Sequence, residues 1–141
     1  MNTVTCIVKA IDRLAGTMRQ SMRKYRGNPE YDALFHLTIT QLHYLHTIKD
    51  HPDITASELA SFFQVQKPTV TNILNRLIKQ GYIERLQSAE DRRSFHLSLS
   101  PEGTQLLTLE NQGYAAFAQN AVDRLSLAEQ QQLTSLLQKI K

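Results

Sequence analysis

One predicted helix, residues 67–80, has a polar face whose residue types could recognise the edges of nucleic-acid bases. The segment reads KPTVTNILNRLIKQ, and its apolar residues recur at helical spacing, which predicts one buried face. The other face carries Thr, Asn, Lys and Arg without an acid. Thr can contact bases through its hydroxyl and methyl groups, Asn can pair with adenine through two hydrogen bonds, and Lys can bind guanine or phosphate. The candidate residues are Gln66, Lys67, Pro68, Thr69, Thr71, Asn72, Asn75 and Arg76.

A charged turn after this helix supplies a second candidate contact. SAEDRRS (88–94) separates two short segments with a two-residue period, which predicts a β-hairpin with Asp91, Arg92 and Arg93 at its tip. An arginine that enters a narrow minor groove meets an enhanced negative potential. The alternative is a solvated turn. In the second strand, the alternation predicts that Phe95, Leu97 and Leu99 face the interior.

Basic residues are concentrated in this part of the chain. The protein has 141 residues, with 16 Lys and Arg against 13 Asp and Glu, for a net charge of +3. Residues 64–96 contain six basic and three acidic residues, so this segment carries the whole surplus. A local basic excess attracts a polyanion. Charge alone does not distinguish such a site from a solvated charged face.

The elements that must position these residues form a helix-helix-helix-hairpin order within 38–100. Thr55 and Glu58 have the spacing of a capping box, which predicts the start of the helix before the quoted one. A short connection follows, Pro68 suits the first turn of the next helix, and Gly81 ends it. This is the spacing of a helix-turn-helix, whose second helix enters the major groove. With the hairpin added, the arrangement is a winged helix.

Long amphipathic helices are predicted on both sides of this region, over 3–26 and 101–125, and a last helix begins after Ser126. Their apolar stripes are wider than a small domain needs, which favours a two-fold dimer over a purely intramolecular core. The segment between Gly27 and the next helix is interpreted as a break. The predicted fold is mainly α (α+β), a winged helix-turn-helix with long N- and C-terminal dimerisation helices. The predicted parts are an N-terminal dimerisation helix and connection (1–37), a winged helix (38–100) and C-terminal dimerisation helices (101–141).

Residues 37–103 resemble the winged helix of the MarR (multiple-antibiotic-resistance regulator) family. The motifs that carry the resemblance are KPTVT, RLIKQGYIER, EDRRS and LSPEG, in the same order and spacing. The resemblance implies a dimer that binds a roughly palindromic duplex DNA site, usually as a repressor. It implies that helix 67–80 lies in the major groove and the wing arginines, above all Arg93, in the minor groove. It also implies that Asp91 orients an arginine, with Arg76 or Arg93 as the expected partner. Gln66 departs from the family, which usually has a small hydroxyl residue there.

The resemblance also implies a switch by a small aromatic or other apolar ligand. Such ligands bind between the dimerisation helices and the winged helix. The candidate lining residues are Met18, Met22, His43, Tyr44 and His46, and the favoured alternative is that they are ordinary core or surface residues. No ligand identity follows from the sequence.

Other classes of function are disfavoured by the composition. The single cysteine, Cys6, excludes an intrachain disulfide, and no apolar run approaches the ~20 residues of a membrane span, so a cytoplasmic protein is expected. No nucleophile-and-base set or phosphate-binding glycine loop stands out, so we expect neither an enzyme nor a cofactor. We expect no metal site, because no third ligand completes the pair His43 and His46. The alternatives that stay open are a protein-interaction module, and redox sensing through Cys6.

Overall fold

The computed structural model describes residues 2–140, and this part of the chain contains seven α-helices and one two-stranded antiparallel sheet. The elements, in order, are α1 (Thr3–Arg23), α2 (Pro29–Phe35), α3 (Ile39–Asp50), α4 (Ala56–Phe63), α5 (Lys67–Lys79), β1 (Ile83–Gln87), β2 (Phe95–Leu99), α6 (Pro101–Val122) and α7 (Leu127–Leu137).

The chain divides into two compact units. One unit comprises the residues up to Arg26 together with those from Glu110 onward, and the other comprises Gly27–Leu109. Helix α6 therefore divides between the units. Its residues 101–109 belong to the Gly27–Leu109 unit, called the central unit below, and its residues 110–122 belong to the other. The mainly helical fold with a winged helix-turn-helix in the central unit agrees with the predicted fold class. The assignment of the long helices to dimerisation stays a prediction.

Helices α3 and α4 begin where their capping boxes predict. The Thr38 backbone N–H donates to Gln41 Oε1 at 2.9 Å, and the Gln41 N–H donates back to Thr38 Oγ1 at 3.1 Å. At α4 the same two bonds join Thr55 and Glu58, at 2.8 and 3.2 Å. Each box satisfies backbone N–H groups that the first turn of a helix leaves without a partner. The hydrogen bonds that the Glu58 carboxylate accepts from the Thr55 backbone N–H and hydroxyl lower the pKa of this carboxyl.

The turn between α4 and α5 fixes the start of the second helix of the motif. Gln64 adopts the left-handed conformation, with φ of 53°, and the Val65 N–H donates to Ala60 O at 3.0 Å. Few residues other than glycine accept this conformation, so the surrounding structure holds Gln64 in it. At the other end of α5, Gly81 has a φ of 81°, as its prediction as a helix terminator requires.

The wing is a regular hairpin that is joined to the start of α4. Its register pairs Ile83 with Leu99, Arg85 with Leu97 and Gln87 with Phe95. The Leu97 N–H also donates to Ile54 O at 2.9 Å, so residues next to α4 extend the hairpin. Leu97 is buried and Leu99 is half-buried, but Phe95 is 48% exposed, which corrects the predicted inward-facing set.

A single apolar core lies inside the central unit. Its most completely buried side chains come from α3, α4 and α5, and are Tyr44, Leu45, Leu59, Val70, Leu74 and Leu77. Burial of a side chain of this size contributes about 1.5–3 kcal/mol. The apolar face of α5 packs against this core, so its polar face lies toward solvent.

Two predictions about the flanking segments are wrong in detail. The segment after Gly27 is not only a break, because α2 forms there with Asn28 as its N-cap and Pro29 in the first turn. Proline fits a first turn, since its missing N–H has no partner to lose. Helices α1 and α6 also end earlier than predicted, at Arg23 and Val122. Helix α7 begins at the predicted capping box, in which Ser126 and Glu129 bond reciprocally. Within residues 2–140, no helix is long and apolar enough to cross a bilayer.

Candidate nucleic-acid interface

Helix α5 holds the predicted reading residues on one exposed face. Val70, Leu74 and Leu77 are buried, and each predicted reading residue on the other side is exposed. The face contains no carboxylate, and in the described part of the chain neither Lys67 nor Arg76 is ion-paired. The helix therefore presents hydrogen-bonding groups and positive charge outward.

The first turn of α5 is open at its N-terminus. Gln66 is the N-cap residue, and its side chain makes no capping hydrogen bond. Its backbone carbonyl accepts from the N–H groups of Thr69 and Val70, at 3.0 and 3.4 Å. Because Pro68 has no N–H, Lys67 is the first-turn residue whose N–H these two bonds leave open. This N–H, together with the positive end of the helix dipole, favours an anion nearby.

Thr71 and Asn72 differ in what they present outward. The Thr71 hydroxyl donates to Lys67 O at 3.0 Å, so its proton is used within the helix and its methyl group and oxygen lone pairs remain available. Asn72 makes no side-chain hydrogen bond to the rest of residues 2–140. Its amide can therefore turn to offer both a donor and an acceptor, as bidentate pairing with adenine requires.

Asn75 is bound to a residue that the sequence pattern does not single out. Arg85 Nη2, on β1, donates to Asn75 Oδ1 at 2.9 Å. Arg85 is one of the six basic residues in the charged segment, which is the only sequence signal that points to it. The contact joins α5 to the wing, and it places a further cation, Arg85, beside the two that the reading face already carries.

Arg85 and Arg93 line the same groove, of about 330 Å³, between the start of α4 and the wing. The other lining residues are Thr55, Ala56, Ser57, Ser94, Phe95 and Leu97. None of these residues is acidic, so the lining of the groove contains two arginines and no counter-charge. A groove of this kind can hold an anion such as a backbone phosphate.

Asp91 binds the wing tip through its main chain. Asp91 Oδ1 accepts from the backbone N–H of Arg93 at 2.9 Å, and Oδ2 accepts from the Ser94 hydroxyl at 3.2 Å. Within residues 2–140, Asp91 forms no ion pair with the guanidinium group of Arg76 or Arg93. Asp91 thus acts on Arg93 by fixing its backbone, and the Arg93 side chain is left unpaired.

Further hydrogen bonds close the tip into an ordered loop. Gln87 Nε2 donates to Arg92 O at 2.7 Å, and the Ser88 N–H donates to Ser94 O at 3.0 Å. Ser88 is buried, and its hydroxyl oxygen accepts from the N–H groups of Glu90 and Asp91. The tip is therefore braced from inside, while the Arg92 and Arg93 side chains project outward.

Two of the residues considered for ligand binding, Tyr44 and Met22, are packed against other residues of the chain, and the ligand site stays a prediction. The Tyr44 ring is buried and stacks on Phe63 with centroids 4.3 Å apart, and burial raises the pKa of its hydroxyl. Met22 lies against Gly113, where a β-carbon would come within 3.1 Å of its sulfur. Within residues 2–140, no group of three His, Cys, Asp or Glu side chains could hold a metal ion. Cys6 is a free, exposed thiol, and its role in redox sensing stays a prediction.

Comparison with known proteins places this geometry in a family. Residues 37–95 match the model of the MarR family. The chain is 31% identical to the homoprotocatechuate degradative operon repressor of Escherichia coli over 103 residues, which cover 72% of this chain and 69% of that protein. This chain belongs to the MarR family. It is also 31% identical over 86 residues to the multiple antibiotic resistance protein MarR of Salmonella typhimurium, covering 61% of this chain and 60% of that protein.

Solved structures of MarR-type proteins share the fold. A Staphylococcus aureus MepR–DNA complex superposes with a TM-score of 0.72 at 25% identity, covering 92% of this chain and 93% of that one. A mutant of Escherichia coli MarR gives a TM-score of 0.62 at 28% identity, with 92% and 94% covered. The chain spans about half the length of several curated relatives that it matches, between 43% and 58%.

Proposed function

We propose that this MarR-family chain is a sequence-specific DNA-binding transcription regulator. The observation that carries the proposal is the exposed, acid-free face of α5, with the unpaired arginines of an ordered wing on the same unit. The similarity to an operon repressor, to the multiple antibiotic resistance protein MarR and to a MepR–DNA complex supports it.

The proposed binding mode follows from the chemistry of each element. Helix α5 enters the major groove, where Thr69, Thr71 and Asn72 face base edges and Lys67 and Arg76 reach guanine or phosphate. The wing tip lies over the minor groove, where Arg93 and Arg92 meet the negative potential of a narrow groove. Asp91 is an orienting residue that holds the backbone of Arg93.

The regulator is proposed to act as a two-fold dimer, through the flanking regions 1–37 and 101–141. The support is the exposed apolar side chains that α1 and α7 carry. Val4, Ile7 and Ile11 of α1 are 68%, 50% and 61% exposed, and Leu136 and Leu137 of α7 are 52% and 56% exposed. Exposed apolar side chains that recur at helical spacing along one helix form a patch of the kind that marks an interaction site. A two-fold dimer would present two copies of α5 to a palindromic site.

Repression, with release by a small aromatic or apolar ligand, is the regulatory mode that we propose. It rests on family membership and on relatives described as repressors. A regulator of this kind works where the DNA lies, so the proposal places it in the cytoplasm.

The test is selection of bound duplexes from a random library at two salt concentrations, with light scattering on the same sample. We expect a palindrome with half-site centres ~10 bp apart, a dimeric mass and affinity that falls steeply with salt. The double variant Arg92→Ala with Arg93→Ala removes the proposed wing contacts. It should weaken DNA binding without unfolding the protein. No enriched sequence, with a monomeric mass, would reject the proposal and favour a protein-interaction module.

A further inference from the structure

We propose that Arg85 is a positioning residue that turns the Asn75 side-chain amide so that only its N–H groups face DNA. The inference rests on the proposed DNA-binding function. It gives the two asparagines of α5 different roles in base recognition. The Asn72 amide is free to pair with adenine, whereas the Asn75 amide is held by Arg85. Asn75 is thereby assigned to an acceptor on a base edge in the major groove, such as a guanine O6 or N7 or a thymine O4.

The orientation of the Asn75 amide is determined by its hydrogen-bond partner. The two ends of an asparagine amide are similar in shape, and a hydrogen-bond network decides which end is oxygen. The partner here is Arg85 Nη2, at 2.9 Å. A guanidinium group has only donors, so the atom that faces it must be the amide oxygen.

The nitrogen end of the Asn75 amide is left facing away from Arg85. Oδ1 and Nδ2 branch from the same carbon, so an oxygen that faces Arg85 directs the nitrogen to another side. Asn75 is exposed, and within residues 2–140 its Nδ2 has no hydrogen-bond acceptor. Two N–H donors are thus left on the outer face of α5.

Asn72, one turn earlier on the same face, is not constrained by a partner of this kind within residues 2–140. Bidentate adenine recognition needs the amide oxygen and nitrogen side by side against the base. Asn72 has no side-chain partner in the described part of the chain and can adopt that orientation. Asn75 would have to break its bond to Arg85, which leaves a cation unpaired beside the DNA.

The experiment compares Arg85→Met, which keeps length but removes the donors, with Arg85→Lys, which keeps charge and a donor. Each variant undergoes duplex selection, alone and combined with Asn75→Ala. We expect Arg85→Met to reduce base discrimination roughly threefold to tenfold at one position per half-site, the same position that Asn75→Ala affects. Arg85→Lys should retain the preference, and Arg85→Met should add no further loss of preference to Asn75→Ala.

A second variant separates positioning from folding. Asn75→Asp keeps an oxygen for Arg85 but replaces the outward donors with an acceptor, so it should lose the same preference while melting at the parent temperature. If Arg85→Met keeps every base preference and only lowers affinity uniformly, Arg85 is a phosphate contact and the positioning role is wrong. Additive losses in the double variant would also overturn it. If the parent protein enriches no sequence at all, the DNA-binding function itself fails, and this inference fails with it.

Discussion

Two exposed surfaces of this chain differ in their chemistry. Helix α5 and the wing expose Thr, Asn, Lys and Arg over a well-packed core, whereas α1 and α7 expose Val, Ile and Leu, with Ile11 61% and Leu137 56% accessible. Water solvates the polar side chains of the first surface well, so this surface is stable without a bound partner. Exposed apolar surface is unfavourable in water and calls for a covering partner. This difference supports the proposed division of roles, in which the polar surface binds DNA and the apolar surface packs against a second copy of the chain.

The strongest test of the comparison is Ile11→Asp on α1. A buried charge without a partner is unfavourable, so we expect the dimer to dissociate. Because two linked half-site contacts raise apparent affinity by about 10²–10⁴, affinity for a palindromic site should fall by a similar factor. Light scattering and titration of labelled duplex measure the two effects.

The matched control is Gln20→Asp, which places the same charge at an exposed polar position of the same helix. It should leave mass and affinity near those of the parent. A dimeric Ile11→Asp protein with full affinity would show that α1 does not form the proposed interface.

On the polar surface, the next largest effect is expected from Asn72→Ala. Loss of a bidentate contact costs about 1–3 kcal/mol and should relax base preference at one position per half-site. Duplex selection on the variant measures this directly. Equal loss of affinity on every sequence would instead show that Asn72 contacts phosphate.

Arg93→Ala should lower DNA affinity by a smaller factor. Because the proposed contact is in the minor groove, the loss should not depend on which bases α5 meets in the major groove. The side chain is exposed and makes no ion pair in the described part of the chain, so its loss should not unfold the protein. We expect roughly tenfold weaker DNA binding and a salt slope reduced by about one unit. Arg19→Ala, at an exposed arginine of α1, is the control. Equal affinity of variant and parent at several salt concentrations would exclude a groove contact.

The sequence predicts those parts of the fold and the interface that depend on local interactions. Capping boxes at Thr38, Thr55 and Ser126 locate three helix starts, because each involves residues three apart. Periodicity predicts which face of α5 is buried. The pattern misled at α2, where Asn28 and Pro29 are as typical of a break as of a helix start.

Contacts between elements are not predictable from these patterns. The Asn75–Arg85 bond joins a helix to a strand, and it depends on how the hairpin docks on α5. The expected pairing of Asp91 with an arginine side chain fails for the same kind of reason. A tight turn brings the Arg93 backbone N–H to the carboxylate, and this geometry follows from the closed tip rather than from residue types.

Tyr114 should make the unfolding free energy depend on pH in the alkaline range. Burial, followed by the nearby Glu110 carboxylate and their hydrogen bond, raises the pKa of Tyr114 to about 12 from its ordinary value of 10.0. A raised pKa in the folded state means that Tyr114 contributes stability below pH 10, which is lost as pH rises towards 12. Urea unfolding between pH 9 and about 12 measures this loss. Tyr114→Phe keeps the ring, so part of the alkaline loss should disappear in that variant, and an identical profile would contradict the expectation.

The smallest effect is expected at low pH in the central unit. Hydrogen bonds from the Thr55 backbone and hydroxyl lower the pKa of Glu58 below its ordinary value of 4.5. A lowered pKa in the folded state means that the contribution is present above 4.5 and is lost as pH falls through the lowered value. Glu58→Gln can keep the capping box but cannot titrate in this range. Its unfolding free energy should therefore depend less on pH in the acid range than that of the parent. Since Glu58 is exposed, the difference will be small, and parallel acid profiles would show that the capping box of α4 does not contribute to acid sensitivity.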